Sequence, residues 1–127
     1  MTENEIAKII VDVLYKIHIE FGPGLFESVY ETIVAYELEN THGLKIRRQI
    51  PIPVIWKDKK MELGFRADLI VNEKVLVEFK CIEALAPVHF KQILTYLKLT
   101  NLKLGLLVNF NEELIKNGIN RVVNNLN

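Results

Sequence analysis

The chain holds a single cysteine, Cys81, in 127 residues. One thiol builds no internal disulfide framework and no cysteine zinc cluster. Cys81 reads as a small buried filler, with a reactive thiol as the rarer role. Net charge is also missing, since 16 Lys and Arg balance 16 Asp and Glu. That balance argues against a general electrostatic grip on nucleic acid and leaves room only for a local basic patch. No apolar run approaches membrane-spanning length, and no basic segment followed by an apolar stretch opens the chain. The expectation is a soluble cytoplasmic protein with no membrane partner. Repeats, low-complexity segments and linkers are absent. What is there is 50% hydrophobic and 25% charged, the composition of one globular domain, 1–127, long enough to bury a core.

The organising stretch is residues 64–80, GFRADLIVNEKVLVEFK. Two β-branched-rich runs flank Asn72-Glu73-Lys74, which predicts a hairpin with a three-residue loop. That loop sets Val71 opposite Val75 and Asp68 opposite Glu78. Side chains alternate along a strand, so Glu78 and Lys80 share a face. Like charges directly opposite are destabilising, and desolvated carboxylates need a partner. Lys80 is one candidate and a divalent metal is another. A solvated acidic face with an ordinary Glu78–Lys80 ion pair is the plainer account. The unbroken apolar runs on both sides favour a site, because both faces look covered.

Periodicity predicts a first helix over 3–20, with Thr2 as N-cap and Glu3 and Glu5 favoured by the dipole. Phe21-Gly22-Pro23-Gly24 breaks it. A second helix is expected over 25–40, with Leu25, Val29, Ile33, Val34 and Leu38 apolar and Gly43 marking the exit. Glu27 and Tyr30 lie near its start on one face, and Glu31 shares the side of Glu27. Glu27 is either a carboxylate favoured by the helix dipole or a group held against another element. Residues 45–56 read as an extended segment. Pro51 and Pro53 deny it a central place and suit an edge or kinked strand. Lys45, Arg47, Arg48, Lys57, Lys59 and Lys60 make this the most basic region. A charged edge that discourages aggregation is the plain reading, and nucleic-acid contact the other.

Pro87 opens a third helix expected over 87–99, with Val88, Ile93, Leu94 and Leu97 apolar. His89, Gln92 and Tyr96 form a polar stripe along it. Residues 104–110 form an apolar strand for the sheet interior. A short helix is expected over 112–117, then a fraying tail ending at Asn127. A strand–helix–strand crossover after an antiparallel meander gives an α/β (α+β) fold with a mixed four-stranded central sheet flanked by helices.

Gly24-Leu25-Phe26-Glu27-Ser28-Val29-Tyr30 resembles the GxxExxY signature after which one family of small bacterial and archaeal proteins is named. Asp68 followed by Glu78-Phe79-Lys80 resembles the D…ExK core of the PD-(D/E)XK nuclease superfamily, to which that family is assigned. Gln92-Ile93-Leu94-Thr95-Tyr96 is similar to the QxxxY element of its recombination-exonuclease branch. The likeness spans roughly residues 21–123, and one departure is Ala67 in place of proline before Asp68. The resemblance implies a restriction-endonuclease-like core and metal-dependent hydrolysis of phosphodiester bonds in nucleic acid, DNA ahead of RNA. It implies Asp68, Glu78, Lys80 and Glu27 as catalytic residues. Mg²⁺ or Mn²⁺ would be held by Asp68, Glu78 and Glu27, with the Phe79 carbonyl as a further ligand. Lys80 would orient or deprotonate the attacking water, or stabilise charge on the phosphate. Gln92 and Tyr96 would position substrate or Lys80, and His89 faces the same way without a role. Two other classes stay open. One is a catalytically idle module that binds nucleic acid or protein. The other is a structural or regulatory subunit that forms homo-oligomers through its long apolar helices.

Overall fold

The computed structural model describes residues 1–126, and the side chains of all of them except Glu62 and Leu63. Helix α1 (Glu3–Phe21) starts at a capping box: Thr2 Oγ1 accepts from the Glu5 N–H, and the Glu5 carboxylate accepts from the Thr2 N–H. It ends at Gly22, whose φ of 67° only glycine takes up cheaply. Helix α2 (Glu27–Asn40) follows the Gly-Pro-Gly bend. Its start falls two residues later than the apolar pattern predicts. The Tyr30 hydroxyl pins the bend by accepting from the Leu25 N–H and donating to the Gly22 carbonyl, which holds Leu25 outside the helix.

Strands β1 (Ile46–Trp56), β2 (Lys59–Val71) and β3 (Val75–Lys80) form the antiparallel meander. Helix α3 (Pro87–Thr100) then crosses over to β4 (Leu104–Asn109), which runs parallel to β3 and is buried throughout. A single 3-10 turn (Ile115–Asn117) stands where a short helix was expected. Strand β5 (Ile119–Val123) then pairs antiparallel with β4. The sheet is therefore mixed, with five strands in the order β1-β2-β3-β4-β5, and not four. The chain beyond β5 does not fray at Asn124, whose N–H donates to the Lys103 carbonyl and whose amide donates to the Leu102 carbonyl. Asn127, the end of the expected fraying tail, lies outside the described residues.

Helices α1 and α2 cover one face of the sheet, where Ile10, Leu14, Tyr30 and Leu38 pack on Leu69, Val77, Phe79 and Leu106. Tyr30 stacks on Phe110 with ring centroids 4.0 Å apart. Helix α3 covers the other face, with Ile93, Tyr96 and Leu97 against Ile52, Ala67, Ile70, Leu76 and Leu107. The apolar stripes are turned from expectation: Val29 and Val88 are exposed, while Tyr96 is only 4% exposed. Among the described residues no helix is long and apolar enough to cross a membrane.

Two features of the β1–β2 hairpin set up the site. Strand β3 pairs with β2 only from Leu69 to Val71, so the rest of the hairpin runs past the sheet as a two-stranded ribbon. Both strands also change face on the way. Ile46 packs under α1 and α2 but Ile50 and Ile52 pack under α3; Leu69 packs under α1 and α2 but Ala67 under α3. Strict alternation forbids this, since residues two apart share a face. The switch falls at Gln49, whose φ of 50° is left-handed, and at Asp68 beside it. Farther out, a β-carbon on Gly64 would collide with the Ile52 carbonyl, next to a register shift between Ile52 and Val54.

Candidate active site at the divergence of two strands

The register around the Asn72-Glu73-Lys74 loop is the expected one, with Val71 opposite Val75 and Leu69 opposite Val77. One step farther, Asp68 and Glu78 meet, and the ladder stops. Each carboxylate instead takes a backbone donor of the other strand. The Asp68 N–H donates to Glu78 Oε1 at 3.0 Å, and the Phe79 N–H donates to Asp68 Oδ2 at 2.9 Å. Two like charges on adjacent strands are destabilising. The strands part here, and each carboxylate gains a hydrogen bond that the open ladder would leave unmade.

Glu78 is only 6% exposed. Burial, followed by the charge of Asp68, pushes its carboxyl up to about 8. Lys80 pulls in the opposite direction, but the Glu78–Lys80 ion pair of the plainer account is not formed. Among the described residues, Lys80 has no carboxylate oxygen within 4.0 Å of its ammonium; the ion pairs are Lys45 and Arg47 with Glu73, and Arg48 with Glu31. Lys80 lies instead on the wall of a cavity of about 480 Å³ that it shares with Phe65, His89, Gln92 and Tyr96. The structure thus brings Lys80, Gln92 and Tyr96 together across β3 and α3. Tyr96 packs on Phe65 with ring centroids 5.3 Å apart. Its hydroxyl titrates above the usual range through burial, then through Glu78 and Asp68. His89 Nδ1 accepts from the Ala86 N–H at 2.9 Å and so caps the start of α3.

Glu27 reaches the same neighbourhood from the first turn of α2. The residue is exposed as a whole, but partial burial of its carboxyl, then the charge of Asp68, raises its titration, while Lys80 lowers it. Glu27 and Glu78 each feel the charge of Asp68, yet the three do not stand together as a ligand cluster. Among the described residues no three His, Cys, Asp or Glu side chains are placed to hold one ion. The pair of Asp68 and Glu78 remains. It is an all-oxygen donor set, half-buried at Asp68 and buried at Glu78, and short of positive charge. Mg²⁺ keeps several waters and is bound through one or two carboxylates, so this pair fits it.

The residue pattern missed one layer of the site. Gln49 Nε2 donates to Asp68 Oδ1 at 3.2 Å and to Glu31 Oε1 at 2.7 Å. Glu31, buried in α2, also accepts from Arg48 Nε and Nη2 at 3.2 and 2.9 Å. Both amide hydrogens of Gln49 meet carboxylates, which fixes which way the amide points. A chain Arg48–Glu31–Gln49–Asp68 thus anchors the first carboxylate to α2. The only sequence signal was Glu31 lying on the Glu27 side of its helix; nothing marked Gln49.

A family model described as PD-(D/E)XK nuclease superfamily matches residues 4–122 of this chain. Searches of the curated proteins and of the solved structures find no significant match.

Proposed function

We propose that this chain, which belongs to the PD-(D/E)XK nuclease superfamily, hydrolyses phosphodiester bonds of nucleic acid, DNA ahead of RNA, and is one of its GxxExxY members. The observation that carries this reading is the pairing of Asp68 and Glu78 where β2 and β3 part, with an ammonium one residue beyond Phe79 that no carboxylate among the described residues neutralises. Asp68 and Glu78 are the residues that would hold Mg²⁺ or Mn²⁺. Such an ion, when bound, neutralises phosphate charge and supplies hydroxide near neutral pH. The remaining work falls to the chain itself. Gln49 holds Asp68 in place. The Lys80 ammonium is available to a phosphate oxygen in the transition state. Gln92 and Tyr96 line the cavity beside Lys80 and position substrate there. Glu27 acts through the field it shares with Asp68 and Lys80.

The test is cleavage of plasmid DNA with Mg²⁺ or Mn²⁺ by the wild type and by Lys80→Ala. Cutting is expected to vanish in the variant while its circular dichroism stays native, because Lys80 acts in the transition state more than in binding. Equal cutting by both proteins overturns the assignment. A second reading is an idle module that binds without cutting; among the described residues no three-carboxylate ligand cluster stands against it. Calorimetric titration with Mg²⁺ separates the two, since the idle module has no need to bind the ion.

A further inference from the structure

The outer end of the ribbon, from Ile55 to Lys60, takes no part in this chemistry, yet it is costly to build. Ile55 and Trp56 are each 64% exposed there. The turn between β1 and β2 is two residues long, and both are left-handed: Lys57 at φ 48° and Asp58 at φ 63°. Turns of this type favour Asn-Gly, and a lysine in that region is uncommon. Such strain, observed first, is a pointer to function. The lysine it retains sits with its ammonium 5.9 Å from the centre of the Trp56 ring.

The cations of the basic region divide in two. Lys45, Arg47 and Arg48 are neutralised by Glu73 and Glu31 near the sheet. Lys57, Lys59, Lys60 and Arg66, out on the ribbon, have no carboxylate within 4.0 Å among the described residues. A guard against edge pairing needs charge alone and avoids exposed Ile and Trp. A ribbon whose ammoniums have no carboxylate partner among the described residues, and whose tip is apolar, matches a polyanion that also offers apolar surface.

We propose that the ribbon is an arm that grips duplex DNA in its major groove, with Lys57, Lys59 and Lys60 on phosphates and Trp56 against base edges. This rests on reading the site as one for nucleic acid. A two-stranded ribbon fits the major groove of B-form DNA, whereas that groove in A-form RNA is too narrow to enter. Continuity with the site supports the same occupant. Strand β2 carries Asp68 at the sheet and Lys59 at the tip, nine residues apart, or roughly 25–30 Å along a twisted strand. The arm thus meets DNA about eight base pairs from the carboxylates.

Trp56 is the single tryptophan of the chain, so its fluorescence reports from the tip alone. The wild type is titrated in EDTA with a DNA duplex, the matching single strand, and an RNA duplex of the same sequence. The duplex DNA is expected to change the emission and to shield Trp56 from acrylamide. Replacing the three lysines, Lys57→Ala, Lys59→Ala and Lys60→Ala together, is expected to lower the slope of log affinity against log salt by about 2–3. An unchanged urea midpoint shows that this variant is folded. Silence of Trp56 toward duplex DNA overturns the proposal. An equal response to the single strand or to the RNA duplex overturns the groove. Emission that shifts with protein concentration alone places a second copy on the tip and overturns the occupant. Because the titration needs no cutting, the two readings fail separately. Binding through Trp56 without cleavage under Mg²⁺ keeps the arm and sinks the nuclease. Cleavage with Trp56 silent does the reverse.

Discussion

Glu78 makes the metal-free protein lose stability as pH rises through neutrality. Burial and Asp68 hold its carboxyl at about 8, against an ordinary value of 4.5. Below the unfolded value, both states are protonated and nothing is lost. Between the two values, the folded chain keeps a proton that the unfolded chain has released, so each rise in pH favours unfolding. Above the folded value, both are ionised and the curve flattens. The gap of about 3.5 units sets a ceiling of about 5 kcal/mol. The realised loss is smaller, on the order of 2–3 kcal/mol, because parted strands admit water to an ionising pair. That is a large share of the 5–15 kcal/mol typical of a whole domain.

Glu27 is shifted in the same direction and adds to the same slope. Glu73, lowered chiefly by its hydrogen bond with Arg47, works the opposite way. Its contribution is present above its unfolded value and is lost only on acidification, below this window. The variant that isolates Glu78 is Glu78→Gln, whose amide oxygen can still accept from the Asp68 N–H. Urea unfolding followed by circular dichroism, in EDTA at fixed ionic strength from pH 5 to 8.5, compares the two proteins. They should agree at pH 5 and diverge until the variant leads by about 2–3 kcal/mol at the alkaline end. Parallel curves would refute the claim that Glu78 carries the proton. Saturating Mg²⁺ should flatten the wild-type curve, because the ion takes the place of the proton.

At pH 7 magnesium uptake is therefore expected to release close to one proton, read as the dependence of titration heat on buffer ionisation enthalpy. Gln49→Ala should cost about 1.5–3 kcal/mol, the worth of hydrogen bonds to charged groups, and weaken metal binding; unaltered metal affinity would remove Gln49 from the site. Glu27→Gln should cost little stability, and a clear drop in magnesium affinity by calorimetry would admit Glu27 to the site, where no change returns it to a dipole-favoured helix residue. Gly64→Ala should destabilise by about 1–3 kcal/mol, since the Ile52 carbonyl in its way is backbone and yields poorly; a melting temperature equal to wild type would show that the ribbon adjusts freely.

Local chemistry made much of the fold legible. Thr2 and Glu5 announce α1, Pro87 announces α3, and the Asn72-Glu73-Lys74 loop fixes the register that carries Asp68 to Glu78. Strand β5 was not legible, because Asn120 and Arg121 interrupt a five-residue run whose only neighbour is β4. The turned stripe of α2 was hidden for a different reason. Tyr30 goes inward to seal the Gly22 bend and stack on Phe110, while Val29 is left outside. At the site, the sequence pointed to Asp68, Glu78 and Lys80 as neighbours. It left open a Glu78–Lys80 pair, because period-2 alternation sets both on one face. The structure keeps that face and separates the charges, since Lys80 lies along the cavity wall on the α3 side.

Alternation failed outright at one place, and that place links the site to the ribbon. A left-handed Gln49 turns both strands over between Arg48 and Ile50 on one side and between Leu69 and Ala67 on the other. A non-glycine residue there costs of order 1–3 kcal/mol, and it persists only where its surroundings determine it. Here the surroundings are the two carboxylates that accept from its amide. Glycine at 49 would remove the strain and with it the side chain that ties Asp68 to Glu31. The same residue that orients the first carboxylate thus also sets the rotation of the ribbon, on a strand with Pro51 and Pro53 to stiffen it. If the proposed arm grips DNA, a contact made at Trp56 would reach Asp68 along β1 through Gln49, and the place of the grip would set which phosphate meets the carboxylates.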